Sequence, residues 1–397
     1  MAKPENAQAL MDERIKMFRQ AVRGDGKPER LMHVNNFWTW KVWAAGYKLS
    51  DALYDTPKYT DVMQYMVDNY DFDLYLDTGS RNPLGMAKIL GSDEYIIDDE
   101  KCSIAFLDHS YMQADEYDEL MRLGYAKFMY ARVIPRRNKK VTELPNIGLM
   151  YEAAKEWQNF VDMNRVNTKL LTDYGLPTKA GYPCPPAMVE ALAFHLRGIK
   201  GFSLDLRRQY DKVCECCDYF DATLNRLDDE VFTSSRNGSF DGQTPGAAFD
   251  LYYSILAHTV LNHKQFERLI WPRFQTISKI AEAHDKTAFL HNEGNSEHLY
   301  DLWQDLPKNR YTFILEQNDI FRFKKELPHI TPMGGMPTAI MSQKTPEECV
   351  DYIKLLIDKV GYDGRFILSQ DKMVSFASDC SQENLHAMCD FVSEFRY

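Results

Sequence analysis

The sequence predicts an α/β fold, a single (β/α)8 TIM barrel with an N-terminal helical extension and loop insertions. Two observations support this prediction. Short apolar runs alternate with helix-length amphipathic stretches through the C-terminal half, and counting earlier candidates brings the strands to eight. Strand–helix alternation with short connections is typical of parallel βαβ units, and eight such units close as a barrel.

The elements follow from local patterns. An uneven apolar stripe over residues 5–22 predicts an amphipathic helix, so we divide the chain into an extension over 1–30 and a barrel over 31–397. Pro346 followed by Glu347 and Glu348 predicts a helix over 346–360, because proline and acidic residues favour a helix start. The eight predicted strands are residues 32–37, 72–76, 179–182, 231–234, 287–291, 311–316, 329–333 and 365–369.

Composition excludes several classes of protein. Lys and Arg number 47 against 58 Asp and Glu, which gives a net charge of −11 and disfavours binding to nucleic acid or to an anionic membrane. No apolar run is long enough to span a bilayer, and the polar N-terminus lacks a signal-peptide core, so we expect a cytoplasmic protein. Eight Cys are too few for a disulfide scaffold, and Cys214, Cys216 and Cys217 fall within a predicted helix.

A barrel of this type carries its active site in the loops at the carboxyl ends of the strands. His291 and Glu293 follow one predicted strand and are spaced so that both reach one metal ion. The pair Gly334-Gly335 indicates a close approach of the backbone, either to a ligand or within a tight loop. The residues at the predicted strand ends are Ser235, Arg236, His291, Glu293, Glu316, Asp319, Gly334, Gly335, Gln370 and Asp371.

Several segments carry a family resemblance in order and spacing. They are residues 89–91, 196–198, 271–272, 291–295, 315–317, 333–335, 344–348, 364–369 and 382–385. In these segments the chain resembles the uroporphyrinogen decarboxylase superfamily. The resemblance implies the same barrel and one of two chemistries, tetrapyrrole decarboxylation or corrinoid-dependent methyl transfer.

The first chemistry is disfavoured by the region after the first strand. The decarboxylases hold substrate carboxylates with arginines there, whereas this chain has no Arg between Arg30 and Arg81. Phe37, Trp38 and Trp40 occupy the region instead, with Trp43 close by. We therefore expect these aromatic side chains to wall a site for a neutral aromatic substrate.

The methyltransferase branch implies a metal. Thiol-specific members carry His-x-Cys after the same strand and a Cys after the last strand, which together bind zinc. Here His291 matches the histidine, Glu293 replaces the first cysteine, and Asp371 or Lys372 falls at the second. Oxygen ligands would make a harder, more Lewis-acidic zinc, suited to an ether oxygen. The resemblance thus implies zinc held by His291, Glu293 and Asp371.

The sequence therefore predicts an O-demethylase, which moves methyl from an aryl methyl ether to the Co(I) of a separate corrinoid protein. His291, Glu293, Asp371 and Lys372 are the predicted catalytic residues, with Lys372 or a Tyr as a general acid if no metal takes part. Predicted substrate contacts are Phe37, Trp38, Trp40, Asp77, Arg81, Glu316 and Asp241, the last in a lid-like loop over 237–246. A homodimer is a further expectation. The alternatives are methyl transfer from methylcobamide to a thiol or tetrahydrofolate, and a non-catalytic scaffold that binds a tetrapyrrole or a corrinoid protein.

Overall fold

Eight parallel strands form one sheet that curves into a barrel, as the sequence predicts. A computed structural model describes residues 3–141, 146–233 and 246–397. The barrel strands are β1 (Met32–Asn35), β2 (Leu74–Tyr75), β5 (Thr178–Pro183), β6 (Ala247–Ile255), β7 (Ala288–Asn292), β8 (Tyr311–Leu315), β9 (Thr331–Met336) and β10 (Ile367–Gln370). A separate antiparallel hairpin consists of β3 (Tyr95–Asp98) and β4 (Ser103–Phe106).

The sheet order leaves one seam in the barrel. Neighbouring strands follow the order β2-β1-β10-β9-β8-β7-β6-β5, so β2 and β5 meet without ladder hydrogen bonds. The register places His291 beside Ser254 of β6 and Ile314 of β8. Because the strands are parallel, their carboxyl ends share one face of the barrel.

One predicted strand is wrong. Residues 231–233 end the long helix α12 (Tyr210–Thr233). The strand that follows is β6, which begins at Ala247, sixteen residues after Val231. Val231, Phe232 and Thr233 have high strand propensity, but propensity over so short a run is outweighed by the continuing helix. Ser235, Arg236, the predicted lid loop before Gly246 and its contact Asp241 lie outside the described residues.

Helices surround the sheet and fill the connections between its strands. In chain order they are α1 (Ala7–Arg23), α2 (Trp40–Ala44), α3 (Leu49–Ala52), α4 (Thr56–Asn69), α5 (Leu84–Leu90), α6 (Tyr117–Leu123), α7 (Tyr125–Phe128), α8 (Ile134–Arg137), α9 (Ile147–Asp173), α10 (Met188–Ala191), α11 (Gly198–Arg208), α12 (Tyr210–Thr233), α13 (His263–Leu269), α14 (Trp271–Ala283), α15 (Tyr300–Trp303), α16 (Ile320–Glu326), α17 (Thr338–Gln343), α18 (Pro346–Lys359) and α19 (Gln382–Glu394). Cys214, Cys216 and Cys217 lie on α12, the helix that the sequence predicts for them, and all three are buried. Among the described residues, no helix combines the length and apolar character needed to cross a membrane.

The N-terminal helix closes one end of the barrel. Phe18 and Val22 of α1 are fully buried and belong to the same apolar cluster as Val34 of β1 and Phe289 of β7. The Asn6 side chain caps the helix by accepting the Ala9 N–H at 3.0 Å. The helix therefore shares the barrel core, and ligands have access from the opposite end.

Gly334 and Gly335 are required by packing within the fold. Their φ angles are +127° and +89°, in the region that disfavours a side chain. A Cβ on Gly334 would lie 2.9 Å from the Leu315 carbonyl oxygen, and one on Gly335 would lie 2.8 Å from Ile320 Cδ1. The sequence left two explanations for this pair, a ligand or a tight loop. The structure shows a close approach to other parts of the protein itself.

Candidate active site

The carboxyl ends of β7 and β8 bring a histidine and a carboxylate together. His291 Nε2 lies 3.8 Å from Glu316 Oε1, and the Gly294 N–H donates to Glu316 Oε2 at 3.0 Å. On the other side of the ring, the Tyr252 hydroxyl lies 3.4 Å from His291 Nδ1. Burial raises the pKa of Tyr252 to about 12, so its hydroxyl stays protonated and can donate to Nδ1.

This arrangement leaves one histidine nitrogen available. With Nδ1 accepting from Tyr252, the neutral imidazole carries its proton on Nε2. Nε2 is buried and has no hydrogen-bond partner among the residues that the structure describes. Buried polar atoms are normally paired, so an unpaired Nε2 beside Glu316 indicates a place for a ligand atom.

Asp77 and three cationic side chains lie next to this pair. Arg81 Nε is 3.5 Å from Asp77 Oδ1, and Lys41 Nζ donates to the Asp77 carbonyl oxygen at 2.9 Å. Burial alone would raise the pKa of Asp77, but Arg81, Lys179 and Lys41 together lower it below its usual value. Burial lowers the pKa of Lys41 to about 8 and also lowers that of Lys179.

An aromatic cavity of about 560 Å³ opens at the same face. Trp38 and Phe106 stack with their ring centroids 6.1 Å apart and form part of its wall. Arg81, Ser254 and Glu293 supply polar groups to the same cavity, and the Arg81 guanidinium lies 5.6 Å from the centre of the Trp38 ring. Its size and its apolar wall with few polar groups are typical of a small-molecule site.

Two of the aromatic residues predicted to contact substrate belong to the core. Phe37 and Trp40 are fully buried and pack edge to face, with centroids 4.9 Å apart. The Trp40 indole N–H donates to the Cys380 carbonyl oxygen at 2.9 Å, which fixes the ring inside the protein. Of the three aromatic residues predicted to line the site, the structure therefore places only Trp38 at the cavity.

The predicted zinc ligands are not assembled. Asp371 accepts the Thr338 N–H at 3.1 Å, while Glu293 lines the aromatic cavity and His291 faces Glu316. No three His, Cys, Asp or Glu side chains in the described ranges form a group able to hold a metal ion. A catalytic zinc site ordinarily has three protein ligands, so these side chains do not fit zinc as placed, and zinc stays a prediction.

Lys372 is engaged elsewhere. Its ammonium donates to Asp379 Oδ1 at 3.0 Å and lies 5.8 Å from the centre of the Phe376 ring. Both partners belong to the segment that follows β10. This pairing gives Lys372 a role in holding that segment, and the structure does not bring it to His291.

The sequence analysis missed several residues of the site. Tyr252 was missed because β6 was predicted at the wrong place, although the run Ala247–Ile255 is rich in aromatic and apolar residues. Lys179 lies on a correctly predicted strand. A cationic side chain within an apolar run was the sequence feature that could have identified it as a site residue. Glu190 lies on α10 and accepts the Leu256 and Ala257 N–H groups at 3.0 to 3.3 Å; no local sequence pattern marks it.

Comparisons with known proteins bear on the fold. No protein-family model matches this chain, and no curated protein matches its sequence significantly. Among solved structures, the chain is similar to a methyltransferase from Methanosarcina mazei, with a TM-score of 0.60 over 96% of this chain and 98% of that one. The two sequences are 12% identical. At this identity the similarity shows a common fold over nearly the whole chain.

Proposed function

We propose that this protein is a methyltransferase that transfers the methyl group of an aryl methyl ether to the Co(I) centre of a separate corrinoid protein. The observation that carries the proposal is an aromatic cavity at the same end of the barrel as the His291–Glu316 pair, with Glu293 lining both that cavity and the neighbouring one that Glu316 lines. The similar fold of a methyltransferase and the resemblance to the corrinoid-dependent branch add support.

The cavity suits the ring of such a substrate. Trp38 and Phe106 offer parallel aromatic faces, and aromatic rings stack with offset geometry on such surfaces. Met373 lies against the same space and contributes a polarisable thioether. The ring would be bound by these side chains with its ether oxygen toward the polar ends of β6 and β7.

The reaction needs a group that takes up charge on oxygen. The corrinoid supplies a strong nucleophile, and the methyl carbon bonds to cobalt as its bond to oxygen breaks. The electron pair of that bond remains on the aryl oxygen, which takes a proton and leaves as a phenol. Cobalt goes from Co(I) to the methyl–Co(III) state, so charge and atoms balance with one proton consumed.

His291 is the group placed to deliver that proton. As the acid, the ring carries a proton on each nitrogen: Nδ1–H donates to the Tyr252 hydroxyl oxygen, and the Nε2 proton, which has no hydrogen-bond partner among the described residues, passes to the aryl oxygen and leaves the neutral imidazole. Glu316 Oε1, 3.8 Å from Nε2, supplies the negative charge opposite that ring. General acid catalysis of this kind contributes about 10²- to 10⁴-fold in rate.

Zinc bound by His291, Glu293 and Asp371 remains a separate hypothesis from the family resemblance. Metal analysis of protein purified without chelator tests it, with His291→Ala and Glu293→Ala measured alongside. One zinc per chain that is lost in both variants would support the hypothesis. Full activity in metal-free protein would overturn it.

The proposed function is tested by mixing the protein with a corrinoid protein reduced to Co(I) and a panel of methoxyphenols. We expect the Co(I) absorbance to disappear with at least one aryl ether and a phenol to form in equal amount. No change with any ether, together with methyl transfer from methylcobamide to a thiol or tetrahydrofolate, would favour the second enzymatic alternative. No turnover in either direction would favour a binding scaffold.

A further inference from the structure

The seam of the barrel contains a second, polar cavity. It has a volume of about 360 Å³ and lies between the end of β2, helix α9 and the start of β5. Thr78, Asn164 and Thr168 give it hydroxyl and amide groups, and Arg81 and Lys179 give it two cations. Because no ladder hydrogen bonds join β2 to β5, side chains rather than backbone close the barrel here.

The charges around this cavity do not balance within the protein. Asp77 is the only acidic residue among those that line it, whereas Arg81 and Lys179 both line it and Lys41 lies directly behind the Asp77 carbonyl. Lys179 Nζ lies 4.2 Å from the centre of the Tyr252 ring, and none of the described carboxylates forms an ion pair with it. Lys179 is partly buried, and the two cations that line this cavity face a single carboxylate, which indicates that a ligand supplies further negative charge.

Arg81 connects this cavity to the aromatic one. It lines both, and its backbone has a φ of +62°, a left-handed conformation that is uncommon for a residue with a side chain. Such strain persists where the surrounding structure holds a side chain in one position, and it concentrates at ligand sites. Glu293 lines the aromatic cavity together with Arg81, and Glu316 lines a neighbouring cavity, so neither carboxylate lines the seam cavity.

We propose that the seam cavity binds an anionic substituent, a carboxylate, carried on the aromatic ring of the substrate, with Lys179 and Arg81 as its cationic partners. This inference rests on the proposed function for the identity of the ring. It changes the expectation of a neutral aromatic substrate to that of an aryl carboxylate. The ring would lie on Trp38, and the carboxylate would point past Arg81 into the seam.

Binding measurements test this site without cobalt or methyl transfer. Benzoate and 3-methoxybenzoate are titrated into the protein by calorimetry and compared with their neutral carboxamides. We expect the carboxylates to bind about 10- to 100-fold more tightly than the carboxamides, as charge-assisted hydrogen bonds require. Lys179→Met should abolish most of that difference, and Lys179→Arg should restore part of it.

Controls separate the site from a general loss of structure. Lys169→Met removes an exposed lysine of α9 that pairs with Asp173, and it should leave benzoate affinity unchanged. Equal affinity for benzoate and benzamide, or unchanged benzoate affinity in a folded Lys179→Met protein, would overturn the proposal. Acetate or phosphate binding as tightly as benzoate would also overturn it, because the site would then serve a free anion.

The outcomes also separate this inference from the proposed function. Selective benzoate binding without methyl transfer would leave the carboxylate site standing and remove the O-demethylase activity. Methyl transfer from neutral and anionic ethers at equal kcat/KM, with no preference in binding, would keep the activity and remove the site.

Discussion

His291 and Glu316 face each other from the ends of adjacent strands, with Nε2 and Oε1 3.8 Å apart. The two residues come from β7 and from the position directly after β8, and the Gly294 N–H holds the second carboxylate oxygen. Glu293, two positions from His291 in sequence, lines the aromatic cavity and, together with Glu316, the neighbouring one. The chemistry of the site therefore depends on a contact between strands and not on the local His-x-Glu motif.

Glu316→Gln should slow methyl transfer about 100-fold or more while changing the KM for the aryl ether little. The carboxylate is the counter-ion of the protonated His291 ring that donates the proton, so its loss affects the chemical step. Single-turnover decay of the Co(I) absorbance measures the effect. Glu347→Gln, an exposed carboxylate of α18, is the matched control, and equal rates in the two variants would contradict the role given to Glu316.

Trp40→Ala and Trp38→Ala should both destabilise the protein, and Trp38→Ala should also weaken ligand binding. Trp40 is fully buried and its indole donates to Cys380, so its truncation should lower the free energy of unfolding by roughly 3–5 kcal/mol. Trp38 is 3% exposed and belongs to the same apolar core cluster although one side borders the cavity, so its truncation should also cost roughly 3 kcal/mol. Urea denaturation gives the stabilities, and benzoate titration should show weaker binding for Trp38→Ala. Unchanged benzoate affinity in a folded Trp38→Ala protein would contradict the place given to Trp38 at the cavity.

Glu190→Gln should change how stability depends on pH. Burial raises the pKa of Glu190 from 4.5 to about 8, outweighing the N–H donors of Leu256 and Ala257. The stabilising contribution of Glu190 is fully present below pH 4.5 and is lost as the pH rises toward 8. Over that range the free energy of unfolding falls by up to roughly 1.4 kcal/mol per pH unit. Relative to wild type, the variant should therefore become more stable between pH 5 and pH 8. If the urea midpoints of wild type and Glu190→Gln differ by the same amount across that range, Glu190 is ionised throughout.

Asp73→Asn should destabilise the closed end of the barrel. The Asp73 carboxylate is buried and accepts from Arg14 at 3.2 Å, from Arg30 at 2.8 Å and from the His33 N–H at 2.9 Å. Removing one partner from a buried ion pair costs roughly 3–5 kcal/mol, measured by urea denaturation at pH 7. Asp25→Asn, at an exposed carboxylate outside this network, is the control and should cost much less.

The stability that Asp73→Asn loses relative to wild type should depend on pH in the acid range. Burial would raise the pKa of Asp73, but Arg30 and Arg14 lower it below 3.8. Its stabilising contribution is present above that value and is lost as pH falls through the lowered pKa. The difference between wild type and Asp73→Asn should therefore shrink in strong acid, and a difference that grows there would exclude this ion-pair network as its source.

The sequence alone determined the barrel and the face that carries the site. Apolar runs of strand length between amphipathic stretches predict seven of the eight strands, because alternation and element length are local properties of the chain. The same patterns place His291, Glu316, Asp77 and Arg81 at one end, since parallel strands share their direction. The helix over 346–360 was also predictable, because Thr345 and Glu348 form its capping box locally.

Only the tertiary structure decided which of these side chains meet. The path of each loop after its strand sets where a side chain points, so Asp371 turns to Thr338 and Lys372 to Asp379, while Glu316 reaches His291. Whether an aromatic residue lines a cavity depends on neighbours distant in sequence, such as Cys380 for Trp40 and Phe106 for Trp38. The excess positive charge of the seam likewise arises where β2 and β5 meet, and sequence spacing cannot show that contact.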